Sequence, residues 1–315
     1  MFKHSMLMSL RGFKRHKLTF FINLTGLSTG LAASLLIMFW VNDERSVDAF
    51  HENNDRLHWV MTHFQLPESL VTWDYTSGLM AENMKADFPE VHDAVRVSNH
   101  SHRPKGIISF ENDHFEVSGL FASPNFFDVL SYDLFLGNHQ SVLSNKETVV
   151  ISKSLAEKTF GTPQNALNKT IHWENRFFDK DLIVNAVFED PPRISTQQFD
   201  AIVNYRGLTD FDPSAERWNG GYAQTYLLMQ EGTDMAAFNE KIAEYMNIED
   251  RSTGQFTVFT RPYASGYLFG KYKEGVQSGG RIENVSLFTY IAIFIILIAC
   301  INFMNLSTAQ ASKKL

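Results

Sequence analysis

Two long stretches of this sequence carry no charged residue. Leu18 to Val41 gives 24 uncharged residues and Val285 to Leu306 gives 22. As helices they would reach roughly 36 and 33 Å at about 1.5 Å per residue, enough to cross a hydrocarbon core of about 30 Å. The centre of the second, Tyr290 to Ile301, is almost wholly apolar. The first run exceeds the apolar length of a cleaved secretory signal, so it reads as a retained anchor. Two spans, 18–41 and 285–306, therefore bracket a 243-residue middle, 42–284.

Charge orients them. Lys3, Arg11, Lys14, Arg15 and Lys17 precede the first run, and Lys313 and Lys314 follow the second. All 35 acidic residues lie between, so the middle carries −14 within a total of −7. The positive-inside rule then places both termini in the cytoplasm and 42–284 outside, in the periplasm of a Gram-negative cell. An acidic middle argues against nucleic acid as a partner. Membrane lipid is a partner by the same reading. Ahead of the first run, Phe2, Met6, Leu10 and Phe13 recur every three to four residues among the basic ones. Residues 1–17 thus fit an amphipathic helix on the cytoplasmic face, and 307–315 form a short cytoplasmic end.

Within the first run Gly26 and Gly30 form a G-x-x-x-G, with Ser34 one further step along the same face. Small residues at this spacing let a second helix approach closely. Asn302 and Asn305 place amides at the end of the second run. Such amides either hydrogen-bond a neighbouring helix or are hydrated at the cytoplasmic interface. These five residues are the helix-packing candidates.

The middle reads as α+β. Leu57 to Phe64 is a strand, and Leu79, Met80, Met84 and Phe88 recur at helical spacing before Pro89. Val91 to Val97 alternates as a strand, which completes a β-α-β unit. A second unit follows at the far end: strand Tyr222–Met229, helix Asp234–Tyr245, strand Gln255–Thr260. Two such split units can share one ferredoxin-like layer, over about 42–103 and 216–284. Between them, about 104–215, lies an inserted β-rich subdomain with short helices near 124–130 and 152–160. Ser152 is a natural N-cap for the latter, and Gly161 a natural stop.

Catalytic signatures are missing from the sequence. The Gly270–Lys271 pair is followed by Tyr272 and lacks the leading glycine of a P-loop. No G-x-S-x-G elbow is read, because the one match to that pattern, Gly26 to Gly30, lies inside the first uncharged run. His51-Glu52-Asn53-Asn54-Asp55 has Asp where a zinc-protease helix needs its second His. His100 and His102 alternate, but no other ligand type stands at a defined spacing. The single cysteine, Cys300, falls inside the second span and excludes a disulfide framework. No catalytic residue, metal ligand or cofactor is expected, and the chain reads as a non-enzyme.

Tyr290 to Lys314, YIAIFIILIACINFMNLSTAQASKK, closely resembles the second transmembrane segment of MacB/FtsX-type ABC-transporter permeases, especially long Bacteroidota versions. The opening, MFKHSMLMSLRGFKRHKLTFFINLTGLSTGLAASLLI, is similar to the family's elbow helix and first span. ASPNFFDVLSYDLFLGN, VVISKSLAEKTFG and VNAVFEDPPRIS resemble pieces of its periplasmic core domain. The resemblance implies the N-terminal part of a permease subunit in the inner membrane. It implies as partners a separate cytoplasmic ABC ATPase, a second permease protomer or half, and a periplasmic substrate or partner that no residue identifies. Family permeases continue past the second span into a coupling segment and further spans, so a continuation beyond Leu315 is expected. Two other readings share the two-span plan: a periplasmic scaffold of the co-polymerase kind, and the input half of a receptor.

Overall fold

The computed structural model describes residues 17–98, 103, 105–175, 178–220, 222–248, 251 and 255–312, with backbone alone at 17–20, 23 and 306–312. The amphipathic stretch ahead of the first span and the His100/His102 pair lie outside the described residues. The chain divides into two units: the terminal segments 1–46 and 280–315, and the intervening 47–279.

The terminal unit is a pair of helices, α1 (Lys17–Ser46) and, at the other end of the chain, Arg281–Ser312. Each contains a segment long and apolar enough to cross a membrane, Leu24–Ser46 and Arg281–Asn305. Large apolar side chains such as Leu36, Phe39, Phe294 and Ile298 stand exposed on both. A water-soluble pair would bury them, whereas lipid solvates them.

The intervening unit holds fourteen described strands. They are β1 (Leu57–Gln65), β2 (Leu70–Trp73), β3 (Val91–Ser98), β4 (Lys105–Phe110), β5 (Asp113–Ala122), β6 (Leu134–Leu136) and β7 (Thr148–Ser152). After them come β8 (Thr170–Glu174), β9 (Asp179–Phe188), β10 (Ala201–Asn204), β11 (Ala223–Met229), β12 (Phe256–Pro262), β13 (Lys271–Lys273) and β14 (Val276–Gly279). The helices, in chain order, are α2 (Met80–Asp87), α3 (Phe126–Val129), α4 (Lys153–Phe160), α5 (Met235–Ile242) and α6 (Ser265–Leu268), so Arg281–Ser312 is α7.

Four strands form an antiparallel layer in the order β12-β1-β11-β3. Taken in chain order as strands one to four (β1, β3, β11, β12), they stand 4-1-3-2, the ferredoxin-like arrangement. Residue alternation gives the layer two apolar faces. Val60, Ala94, Leu227 and Met229 pack under Met80 and Met84 of α2 and Phe238 and Ile242 of α5. Leu57, Val95, Val97, Tyr226 and Leu228 face the other way, into a second cluster.

Between β3 and β11 the chain builds a closed ring, β4-β5-β10-β7-β9-β8. Two of its pairings, β5 with β10 and β7 with β9, are parallel. Period-two alternation sorts the side chains. Val117 and Phe121, Val149 and Ile151, and Ala201 and Val203 fall in one cluster around the fully buried Trp173. The intervening Leu120, Ala122, Val150 and Ile202 fall in the cluster shared with the layer. On β9 the parity breaks: Leu182 and Val184 belong with Trp173, and so does Val187. The register shift between Val184 and Ala186 against β7 is the cause. A bulge of this kind adds one residue and turns the following side chains over. At β5 the ring joins the layer, where Val97 pairs with Ala122.

Helix ends follow their sequence signals. Ser152 accepts from the Leu155 N–H and starts α4, and Gly161 at φ 77° ends it. Asp234 accepts from the Ala236 and Ala237 N–H groups and starts α5.

Candidate functional site

The small-residue face of α1 lies against α7. The Ser34 hydroxyl is fully buried and donates to the Ala292 carbonyl at 3.0 Å. A Cβ at Gly30 would stand 3.0 Å from the Ala299 Cβ, and one at Gly26 would stand 3.4 Å from Asn302 Nδ2. The steps 26, 30, 34 on one helix therefore meet 302, 299, 292 on the other, an antiparallel hairpin in close contact. Asn305 follows Asn302 by three residues on α7. At the opposite end, Trp40 meets Phe288 edge-to-face at 5.1 Å and Arg281 pairs with Glu44 at 3.2 Å. Ala292 and Ala299, seven residues apart, are the counterparts that the sequence reasoning missed. Their spacing, two helical turns, was the available signal.

The intervening unit carries a cavity of about 850 Å³ on the face of the layer away from α2 and α5. Trp59 and Met61 of β1 and Gln224 and Tyr226 of β11 line it from the sheet. β2, α6 and the β13–β14 hairpin supply further walls. A polar chain runs along it. Arg103 donates to Gln224 Oε1 at 3.1 Å, Gln224 Nε2 donates to Asp74 at 3.3 Å, and Tyr226 donates to Gln224 at 3.2 Å. Gln197 Nε2 donates to the Tyr226 hydroxyl at 2.7 Å. Burial pushes Asp48 above the ordinary carboxylate range, partly offset by hydrogen bonds from the Thr196 hydroxyl and N–H. Burial likewise raises the Tyr226 and Tyr263 phenols. The cavity residues come from segments far apart in the chain, and sequence reasoning singled out none of them as a site.

His51 to Asp55 lie in a loop of turns, so the residues that begin like a zinc-protease motif are not on a helix. Among the described residues no three His, Cys, Asp or Glu side chains gather as a metal-ligand group.

Comparison with known proteins places the fold. Residues 20–245 match the family profile described as the MacB-like periplasmic core domain. Among solved structures, a domain assigned to a permease of Porphyromonas gingivalis is 24% identical, with a TM-score of 0.58 over 68% of this chain and 93% of that one. The periplasmic region of MacB from Actinobacillus actinomycetemcomitans is 15% identical, with a TM-score of 0.44 over 64% of this chain and 87% of that one. The extracellular domain of the ABC-type transporter YknZ from Gram-positive bacteria is 13% identical, with a TM-score of 0.47 over 64% of this chain and 99% of that one. No match was found among curated proteins. With the family profile covering residues 20–245 and two membrane-length helices at the ends, the chain belongs to the MacB/FtsX type of ABC-transporter permease.

Proposed function

We propose that this chain is the N-terminal part of a permease subunit that couples ATP hydrolysis by a separate cytoplasmic ATPase to movement of its periplasmic domain, for export or mechanotransmission. The observation that carries this reading is the helix hairpin. The whole intervening unit is inserted between two helices held together through Gly30–Ala299 and Ser34–Ala292. A displacement of either helix is therefore felt at one of the two chain connections to that unit. Such a device works when nucleotide binding biases a bundle with two packings. In this reading Gly26, Gly30, Ser34, Asn302 and Asn305 form the contact that must hold or slide. Both termini are cytoplasmic, 42–284 is periplasmic, and the membrane is the inner one. The layer segments and the inserted ring move together as one periplasmic body. A second protomer, the ATPase, lipid and a periplasmic substrate or partner complete the assembly.

Reporter fusions test the orientation. Alkaline phosphatase inserted at Gly220 should be active, and green fluorescent protein at Leu315 should fluoresce. Activity on the same side for both would overturn the two-span topology. For the coupling, spin labels on the periplasmic unit of two protomers, co-reconstituted with the ATPase, should change separation with ATP and vanadate. An unchanged distance distribution would sink the transmission role.

A further inference from the structure

We propose that the cavity on the layer binds a small organic carboxylate with a flat apolar body, its carboxylate paired with Arg261. Arg261 lies near the end of β12, with its guanidinium 4.9 Å from the Trp59 ring centroid and 5.9 Å from that of Tyr272. Its Nε and Nη1 are shielded from solvent and have no acceptor among the described residues. A guanidinium carries five donors and no acceptor, and it is charged at every accessible pH. Shielding such a group from water without an anion is costly, and ring faces only partly offset the cost.

The acidic groups of the same cavity are already engaged. Asp48 accepts from Thr196, Asp74 from Gln224, and Glu274 from the Leu70 N–H. The lining also carries the cations Arg103, which donates to Gln224, and Lys273; Arg261 is the one with shielded guanidinium nitrogens that lack an acceptor among the described residues. A carboxylate matches it, because the guanidinium donates and carboxylate oxygens accept in a charge-assisted pair.

The walls define the rest of the ligand. Trp59, Tyr226, Tyr263 and Tyr272 present aromatic surface to the cavity, which suits a flat apolar body. Gly266 holds the backbone close to the charge. A Cβ there would stand 3.1 Å from Arg261 Nη2 and 3.3 Å from Trp59 Cζ3. Gln197 Oε1 is buried without a donor among the described residues, so a ligand N–H or O–H would answer it. The volume of about 850 Å³ lies within the range of about 300–1,000 Å³ usual for small-molecule pockets. This inference concerns the intervening unit alone and stands or falls without the transport reading.

The test uses the full chain in detergent micelles, with indole-3-acetate as probe and indole-3-acetamide as its uncharged isostere. Both are followed by isothermal titration calorimetry, with circular dichroism as the fold check. The acid should bind saturably and about tenfold or more tighter than the amide, as expected for a charge-assisted pair. Arg261→Gln should erase that preference, and Arg261→Lys should retain part of it. Tyr272→Leu, on the hairpin rather than the layer, should weaken acid and amide alike and keeps the test decisive if Arg261→Gln does not fold. The proposal is overturned if the acid does not bind, or if acid and amide bind equally. It is also overturned if Arg261→Gln keeps the preference or Tyr272→Leu leaves both affinities unchanged.

Discussion

His51 makes the intervening unit sensitive to acid, and the size of the effect follows from its surroundings. The ring is 3% exposed and packs against Phe50 at 4.1 Å, Tyr263 at 5.0 Å and Tyr132 at 5.5 Å. Its Nδ1 accepts from the Ser131 N–H at 3.1 Å, which requires that nitrogen to be unprotonated. Burial lowers its pKa from 6.5 to about 4. The folded state therefore binds fewer protons than the unfolded state between those values, and stability falls as the pH falls through that window. Over the whole window the loss amounts to about 3 kcal/mol, of which about 2 kcal/mol goes between about pH 7 and pH 5.

Other groups titrate nearby. Burial lowers His58 and His63 in the same direction. Asp48, raised by burial, acts with the opposite sign, because its protonation on acidification relieves a buried charge. His172, raised chiefly by its hydrogen bond to Asp181, also opposes His51 and is only partly buried. A subtraction removes all of them. His51→Gln can still offer an oxygen to the Ser131 N–H and cannot titrate. Urea denaturation of the full chain in micelles, followed by tryptophan fluorescence, gives the stability of each protein at several pH values. The gap between wild type and His51→Gln should narrow by about 2 kcal/mol from about pH 7 to pH 5. Parallel pH profiles would refute the reasoning.

Two further outcomes are expected. Gly30→Ile should force the hairpin apart at Ala299, at a cost of about 1–3 kcal/mol for overpacking, and it should slow disulfide formation between Ser34→Cys and Ala292→Cys in a Cys300→Ser background; an unchanged rate would count against the close contact. Arg96 is 3% exposed, donates to the Gly78 carbonyl at 2.6 Å, pairs with Glu82 and Glu216, and lies 4.3 Å over the Tyr205 ring. Arg96→Met should cost about 2–4 kcal/mol in the same denaturation assay, since charge-assisted bonds and a cation–π contact are lost together; a loss below about 1 kcal/mol would mean those contacts are replaceable.

Periodicity made much of the architecture readable. Met80 and Met84 at helical spacing give α2, and alternation gives β1, β3 and β11 their two faces. Ser152 and Gly161 mark the ends of α4 through local hydrogen bonding, which is why a local signal suffices. Gly26, Gly30 and Ser34 are read as a helix-contact face because small side chains permit close approach. Other features depend on partners that sequence does not name. Alternation in β5 and β10 says that each has two faces, not that they pair in parallel and close a ring. At the β9 bulge the alternation itself changes phase, so the pattern around Asn185 misleads. β13 (Lys-Tyr-Lys) and β14 (Val-Gln-Ser-Gly) hold one apolar or aromatic residue each, too few for an alternating strand signal. The cavity is the least legible feature, because Trp59, Arg103, Gln224 and Arg261 meet only after the layer has formed.

The position of the ring in the chain also governs the order in which the unit can be assembled. Ser98 and Ala223 are register partners across the whole insertion, so pairing β3 with β11 in an unfolded chain means closing a very long loop. Loop-closure entropy grows with length, and folding slows as contacts become more distant in sequence. The ring's own strands lie between Lys105 and Asn204 and can pair over shorter separations. Once it has closed, β5 stands beside β3 at Ala122, and β10 leads back toward Ala223. The insertion then acts as a clip that shortens the effective loop. Forming it first is the cheaper route, and on a ribosome it is also the route available before β12 has been made.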